Sequence, residues 1–310
     1  MLIGSKLPPQ RTSRTYFNLG RAAFAYLVET VIKPVKVYLP TYVCWSLVAT
    51  MVERFPDIEL EFYPVDVDLY CHYPDRVGDR EMLVYINYFG AQNFSPLPLC
   101  DGFIVEDTSH SFASTFAASG DFVFGSLRKF LRVGDGGYIE GFFNPVYEPT
   151  KGLDTWLRYE ATGWEDMREA ENMIDRGWQL ADISGQSLAV LLASDLEFIR
   201  ARRIENELFL FDNLVGYGEV LQIFQEGECP LLHNRLFPSW SERDSLCAFL
   251  ASRNIFVSIH WPVHSLVQKA PYVAEGAMFL ADHVISFPVS QYYNLNDMEY
   301  IVRCVKEWNR

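Results

Sequence analysis

The sequence predicts an α/β fold: a large domain with a mainly parallel sheet between helices, and a smaller C-terminal α+β domain. Short apolar strands alternate with helical patterns through the first half of the chain, which is typical of parallel sheets. Polar side chains follow three of these strands, at Tyr42, Asn87 and Asp107. Open parallel sheets bind ligands at that edge, so the pattern also predicts where a site would lie.

Hydrophobic periodicity predicts six elements in the first half of the chain. In chain order they are helix 20–32, strand 35–39, helix 44–55, strand 60–65, strand 82–87 and strand 103–106. The last two strands are continuously apolar, as expected for strands covered by helices on both faces.

The second half begins with a helical pattern over 164–214, in which charged residues are spaced among leucine, isoleucine and phenylalanine. A long helix through 201–207 is expected to connect the large domain, residues 1–198, to the small domain, residues 199–310. Two further helices are predicted at 242–253 and 296–308.

Composition excludes several classes of protein. The formal net charge of −14 argues against nucleic acids and anionic membrane surfaces as partners, because both require basic patches. Six cysteines without a Cys-x-x-Cys pair favour reduced thiols over a zinc site or a disulfide framework. The first residues lack the apolar run of a signal peptide, and no stretch approaches the ~20 apolar residues of a membrane helix. We therefore expect a soluble, cytoplasmic protein.

Two short segments carry the chemistry. Glu106-Asp107-Thr108-Ser109-His110 follows an apolar strand, so the Asp107 carboxylate can face the pyridine nitrogen of pyridoxal 5'-phosphate (PLP) and keep it protonated. Ser126-Leu127-Arg128-Lys129 places a lysine beside a hydroxyl, and the turn Gly134-Asp135-Gly136-Gly137 follows. A lysine in such a site can form a Schiff base with an aldehyde cofactor. Together the segments predict an enzyme that uses PLP.

These segments resemble the DegT/DnrJ/EryC1/StrS family of PLP-dependent sugar aminotransferases, members of the fold type I aminotransferase superfamily. In that family an Asp pairs with the pyridine nitrogen, and a Gln or His three residues later lies against the cofactor ring. Asp107 and His110 stand at those positions. The family lysine precedes a Gly-Glu-Gly-Gly turn at the same spacing that separates Lys129 from Gly134.

The resemblance continues discontinuously over most of the chain. Leu19-Gly20-Arg21-Ala22-Ala23 corresponds to the family's Ser-Gly-Thr motif, which opens a helix under the cofactor phosphate. Asn87-Tyr88-Phe89-Gly90 is similar to the family's His-x-x-Gly strand end. Three C-terminal segments recur in the expected order: Glu242-Arg243-Asp244, Ile259-His260-Trp261-Pro262 and Ile285-Ser286-Phe287-Pro288.

The resemblance implies a role for each matched residue. Lys129 would be the catalytic residue, holding the cofactor and then moving a proton between it and the donor's α-carbon. Gly20 would let the backbone at a helix N-terminus approach the phosphate, and Arg21 would add a charged contact. His110 would stack on the ring or hydrogen-bond its phenolic oxygen. The residues expected to bind the cofactor are Gly20, Arg21, Tyr42, Asn87, Asp107, His110 and Ser126.

Two positions near the cofactor depart from the family pattern. The family's phosphate-side serine lies five residues before the lysine; that position is Phe124 here, and Ser126 lies three before the lysine. The aromatic that often stacks on the ring is replaced by Cys44, which leaves Tyr42, Trp45 or neither for that contact.

Two departures concern the substrate side of the site. The family's Asn-x-Arg segment, which reaches the neighbouring subunit's cofactor, has no clear match around Ala181-Asp182-Ile183-Ser184, and Arg128 is a candidate substitute. Only 19 residues precede Gly20, fewer than is usual in the family.

The sequence thus predicts an aminotransferase that moves an amino group from an amino acid, with glutamate as the expected donor, to a keto-sugar. The resemblance implies a nucleotide-linked sugar in cell-surface polysaccharide or amino-sugar biosynthesis, and a homodimer. One alternative is a PLP-dependent sugar dehydratase; family members with that chemistry replace the lysine with histidine, whereas Lys129 is present. The other is a PLP-binding homologue with a regulatory or structural role.

Overall fold

The computed structural model describes residues 14–143, 164–269 and 271–308. The strands in these ranges are β1 (Arg14–Phe17), β2 (Lys36–Pro40), β3 (Glu59–Tyr63), β4 (Arg76–Val77), β5 (Glu81–Ile86), β6 (Leu99–Cys100), β7 (Phe103–Asp107), β8 (Phe122–Ser126), β9 (Gly137–Glu140), β10 (Glu219–Val220), β11 (Leu232–Leu236) and β12 (Val284–Pro288).

The main sheet has seven strands in the order β1-β9-β8-β7-β5-β2-β3. The five strands from β8 to β3 pair in parallel, whereas β9 and β1 add an antiparallel edge. The central strand β5 is buried along nearly its whole length, as its continuous apolar run predicts. The predicted mainly parallel sheet is therefore confirmed. The connection from β8 to β9 contains Lys129, so the lysine lies where the sheet changes from parallel to antiparallel pairing.

Helices cover the sheet. They are α1 (Gly20–Tyr26), continued as a π-helix over Leu27–Ile32, then α2 (Trp45–Arg54), α3 (Trp164–Gly177), α4 (Gly185–Ala193), α5 (Leu196–Asn213), α6 (Trp240–Ser252), α7 (Ser265–Gln268), α8 (Pro271–His283) and α9 (Leu295–Trp308). The helices predicted near 20–32, 44–55, 242–253 and 296–308 are all confirmed to within a few residues. In the described ranges, no helix combines the length and apolarity that a bilayer crossing needs.

A second sheet of three antiparallel strands, in the order β10-β11-β12, packs with α5, α6 and α9 around its own apolar cluster. Helix α5 belongs to two clusters, because Ile199 shares a cluster with Leu127 of the turn after β8, and Leu210 shares one with Leu246 of α6. The predicted domain boundary at 198/199 falls inside this helix. The division into residues 1–198 and 199–310 therefore stays a prediction.

Strands β8 and β9 were not predicted from the sequence, because glycines interrupt their apolar patterns. Gly125 occupies a position in β8 where an added Cβ would lie 2.5 Å from the Tyr138 hydroxyl oxygen of the neighbouring strand β9. The glycine is thus required by close cross-strand packing, although glycine ordinarily weakens a strand signal.

Gly137, the last glycine of the Gly-Asp-Gly-Gly turn, allows helix α1 to begin directly against β9. An added Cβ there would lie 2.1 Å from the backbone oxygen of Leu19 and 2.6 Å from the backbone nitrogen of Gly20. Both atoms belong to the backbone, so the clash can be relieved only by moving the start of the helix.

We predict that Gly137→Ala lowers the free energy of unfolding by about 2–4 kcal/mol, because it forces backbone shifts in a packed core. Gly185→Ala is the matched control, since an added Cβ at the start of α4 meets nothing within 4 Å. The control should be neutral or stabilise the protein by less than about 1 kcal/mol, because alanine favours helices. Denaturant unfolding of both variants measures the difference, and equal effects would contradict the prediction.

Candidate active site

A pocket of about 390 Å³ lies at the carboxyl end of the parallel strands. Its walls come from the ends of β7 and β8, the starts of α1 and α2, the lysine turn, helix α3 and the segment around Trp261. Six of the eight site residues predicted from the sequence line it: Gly20, Arg21, Asp107, His110, Ser126 and Lys129. The structure therefore gathers most of the predicted site at one sheet edge.

Lys129 ends a single 3-10 turn, Leu127–Lys129, that follows β8. The turn is fixed by its own backbone, because Leu127 N–H donates to the Gly136 carbonyl at 2.8 Å and Phe130 N–H donates to the Leu127 carbonyl at 3.0 Å. The Lys129 side chain itself is exposed and lines the pocket. A reactive amine is thus presented on a constrained backbone.

Phe130, the residue after the lysine, is held from two sides. Gln291 Nε2 donates to the Phe130 carbonyl at 2.5 Å, and the Arg203 guanidinium lies 4.5 Å from the centre of the Phe130 ring. Arg203 also donates to the Leu231 carbonyl at 2.9 Å, and burial lowers its pKa to about 10. Groups from α5 and from the segment after β12 therefore position the backbone next to Lys129.

Asp107 is the last residue of β7 and is 7 % exposed. Burial raises the pKa of its carboxyl to about 6, against the opposing effects of hydrogen bonds from Ser109 and of the nearby charge of Lys129. Ser109 N–H donates to Asp107 Oδ1 at 2.8 Å. A buried carboxylate is stabilised by a cation, so this position suits a protonated ring nitrogen.

His110 is buried, and the pKa of its imidazole lies well below the usual value because of burial and, secondarily, the charges of Lys129 and His260. Its Nδ1 accepts the Phe89 backbone N–H at 3.2 Å, so the neutral ring carries its proton on Nε2. The ring stacks on Phe89 and on Trp261, each with centroids 5.4 Å apart. His110 is therefore set to donate one hydrogen bond from the wall of the pocket.

The structure does not bring Tyr42 and Asn87 into the pocket lining. The buried Tyr42 hydroxyl donates to the His260 carbonyl at 2.6 Å. Asn87 is fully buried, donates from Nδ2 to Glu106 at 2.7 Å and accepts the Asn93 backbone N–H at 3.0 Å. Their hydrogen-bonding groups stabilise the wall from behind, and a direct contact with a cofactor stays a prediction for both.

Gly20 and Ser126 form the end of the pocket that suits a phosphate. Helix α1 begins at Gly20 without a side-chain cap, so its first N–H groups are available to an anion. A Cβ added to Gly20 would lie 3.2 Å from the Ser126 Cβ, which shows how closely the helix approaches β8. Arg21 lines the same end and forms an ion pair with Asp175 of α3.

The aspartate of the Gly-Asp-Gly-Gly turn does not line the pocket. Asp135 is buried and accepts the backbone N–H of Ser184 at 2.8 Å and its hydroxyl at 2.7 Å, while Ser187 also donates to it. Ser184 is the N-cap of α4. The segment 181–184, where no Asn-x-Arg match was found, is thus fastened next to the lysine turn.

The residues that line the pocket also include Cys44, Trp45, Arg128 and Glu171. The comparison with the family pattern draws attention to Cys44, and to Trp45 and Arg128 as candidate substitutes, but none is among the expected cofactor-binding residues. Trp45 packs on His264 with ring centroids 4.0 Å apart. Glu171 carries no signal in the sequence, because a glutamate on a charged helix is ordinarily a solvated surface residue.

No protein-family model matches this sequence, and no curated protein matches it. Solved structures do match. Spr1654 of Streptococcus pneumoniae, assigned as a sugar aminotransferase, superposes with a TM-score of 0.69 at 14 % identity, over 97 % of this chain and 87 % of that chain. The fold is that of the sugar aminotransferases. The fold type I class expected from the sequence is thereby confirmed.

Two further structures support the same fold. A DegT DnrJ EryC1 StrS aminotransferase from Brucella abortus has a TM-score of 0.68 at 15 % identity, over 96 % of this chain and 86 % of that chain. The aminotransferase TlmJ from Streptoalloteichus hindustanus has a TM-score of 0.68 at 18 % identity, over 95 % and 85 % of the two chains. Spr1654 itself has been solved in PLP and PMP forms.

We predict that Asp107→Asn changes the pH dependence of folding in the cofactor-free protein. Because the folded pKa of about 6 lies above the value near 4 of an unfolded aspartate, the wild type loses stability as pH rises through this interval. Asp107→Asn lacks this loss of stability, because an asparagine side chain does not ionise. The stability difference in favour of Asp107→Asn should therefore grow by about 1–3 kcal/mol between pH 4 and pH 7.

Denaturant unfolding at several pH values measures this difference. The exposed Asp212→Asn removes the same formal charge at the surface and serves as the control. A curve for Asp107→Asn that runs parallel to the wild type would show that the Asp107 carboxyl is not held in an unfavourable environment.

Proposed function

We propose that the protein is a PLP-dependent aminotransferase that transfers an amino group from an amino acid to a keto-sugar. The observation that carries this proposal is the meeting of Lys129 and Asp107 in one pocket, at the carboxyl edge of a sheet with the sugar-aminotransferase fold. The residues fit PLP in three respects: an amine on a fixed turn, a buried carboxyl that a cation would stabilise, and an uncapped helix start beside a hydroxyl.

Each residue then has a stated task. Bound PLP would supply an electron sink for the carbanion formed at the donor's α-carbon. Lys129 Nζ would hold the cofactor, and its amine would be placed to accept a proton from the donor's α-carbon and to return it. Asp107 keeps the ring nitrogen protonated through a short-range charge interaction. His110 donates from Nε2 and limits the orientation of the ring.

The anionic end of the cofactor is assigned to Gly20 and Ser126. The first N–H groups of α1 carry the positive end of the helix dipole, and the Ser126 hydroxyl adds a donor from β8. Arg21 joins them if its ion pair with Asp175 is exchanged for the phosphate. These contacts orient the cofactor without taking part in proton transfer.

The finer assignments rest on the resemblance of the sequence to the sugar aminotransferase family. They are glutamate as donor, a nucleotide-linked keto-sugar as acceptor, and a role in cell-surface polysaccharide or amino-sugar biosynthesis. Among the similar structures, PseC of Helicobacter pylori is an aminotransferase involved in the biosynthesis of pseudoaminic acid, which supports the last of these. We also propose that the protein is a cytoplasmic homodimer that has no nucleic-acid or membrane partners. The dehydratase alternative is less well supported, because Lys129 lines the pocket.

One observation favours the non-catalytic alternative. The segment 181–184 is fastened to Asp135 and provides no arginine for a neighbouring site. A homologue that binds PLP for a regulatory or structural purpose would retain the pocket and show no amine transfer. A test for amine transfer therefore distinguishes the two functions.

We predict that the purified protein with PLP shows the visible band of lysine-bound cofactor, and that L-glutamate bleaches it. Lys129→Ala should lack the band, because no other amine is expected to replace Lys129 Nζ at the pocket. Lys306→Ala, on the exposed side of α9, is the matched control and should behave as the wild type. Absorption spectra before and after glutamate provide the readout.

Each other outcome has a definite meaning. A wild-type band that no amino donor bleaches would support the non-catalytic alternative. Bleaching that persists in Lys129→Ala would remove the catalytic assignment of the lysine.

A further inference from the structure

Arg128 immediately precedes the lysine and lines the same pocket, and none of the tasks assigned under the proposed function uses it. Its side chain is 12 % exposed. The Nη2 group donates to both carboxylate oxygens of Glu171, at 2.6 and 2.8 Å. A carboxylate supplied by helix α3 therefore already occupies a defined position in the pocket that Lys129 lines.

The Arg128 guanidinium has an N–H donor that its contacts with Glu171 do not use. Its Nε is buried and has no hydrogen-bond partner among the described residues. A guanidinium offers five N–H donors in a planar fork that matches a carboxylate, and here one terminal nitrogen makes both contacts. An incoming carboxylate can therefore form a better pair with Arg128 than Glu171 does.

Glu171 is the more accessible partner of the pair. Its side chain is 34 % exposed, compared with 12 % for Arg128, so the carboxylate can move into water while the guanidinium stays in the wall. A nearly buried guanidinium is costly when left unpaired. Exchange of one carboxylate for another avoids that cost, whereas departure of Glu171 without a replacement does not.

We propose that Arg128 recognises a carboxylate group of the amino-acid donor, and that Glu171 holds this position until the donor replaces it. The inference rests on the proposed aminotransferase function and extends it to the donor. The Glu171 side chain is chemically the side chain of a glutamate substrate, so the internal pair shows which ligand the position accepts. An amine without a carboxylate cannot displace Glu171 and gains nothing from Arg128.

A second ion pair on α3 separates the roles of the two arginines. Asp175, one helical turn after Glu171, pairs with Arg21 at the start of α1, where the phosphate is expected. Arg128 instead follows β8 in the same turn as Lys129, and both residues line the pocket. A donor that reaches Lys129 enters the pocket that Arg128 lines, so a carboxylate contact at Arg128 is compatible with that approach.

Glutarate tests the inference, because it has the two carboxylates of glutamate and no amino group to react. Its affinity is measured by calorimetry on both PLP-free and PLP-loaded protein, and in the loaded protein also by the shift of the visible band. We expect Arg128→Gln to bind glutarate about 100-fold more weakly, and Arg128→Lys to be intermediate because it keeps the charge without the fork.

Glu171→Gln provides a second, independent test of the same inference. Loss of the competing carboxylate should strengthen glutarate binding about tenfold, which also shows that the variant is folded. Glu169→Gln is the matched control, since it makes the same change at an exposed position of the same helix and should leave the affinity unchanged.

Three outcomes would overturn the inference or the function, and they are distinguishable. Equal glutarate affinities in Glu171→Gln and Glu169→Gln would show that Glu171 does not hold the place of a ligand. Loss of PLP rather than glutarate from Arg128→Gln would make this arginine a phosphate ligand instead. Wild-type protein that forms no visible band, yet binds glutarate through Arg128, would remove the aminotransferase proposal and leave the carboxylate site.

Discussion

The contact between the start of helix α1 and the β8–β9 pair is the constraint on which the rest of the site depends. Gly137 is needed there, since a side chain at this position would overlap the backbone of Leu19, and Gly20 packs tightly against β8. The same contact places Ser126 against the uncapped helix start. Because the lysine turn lies between β8 and β9, the distance from the proposed anion-binding end to this turn is set by backbone packing rather than by side-chain choice.

Charge in this pocket is arranged for a ligand rather than for stability. Burial disfavours the ionised form of Asp107, and it likewise makes unpaired guanidinium groups costly. The chain balances Arg21 and Arg128 with two carboxylates of α3, whereas Asp107 is left with neutral donors. A ligand with a cationic ring and anionic ends would replace each of these arrangements by a better one. Functional sites commonly keep such local conflicts because binding resolves them.

The sequence predicts what is encoded locally and misses what depends on distant packing. Continuous apolar runs identify β5 and β7, and they place Asp107 at the carboxyl end of a strand, which the structure confirms. Glycine-containing β8 and β9 escape detection, because the close approach that requires Gly125 exists only in the folded sheet. The pairing of Arg128 with a residue 43 positions away likewise has no sequence signal. A polar residue that follows a strand can also stabilise the wall of the pocket without lining the pocket, as Tyr42 does.

The anchoring of Phe130 couples the two sheets mechanically. Its carbonyl is held by Gln291 and its ring by Arg203, and both side chains come from the C-terminal half of the chain. A tilt of α5 relative to the main sheet would therefore move the peptide that follows Lys129 or break a buried hydrogen bond. The position of the backbone beside the amine consequently depends on both sheets at once, so a substitution far from the pocket, in the second sheet or its helices, would also displace Lys129.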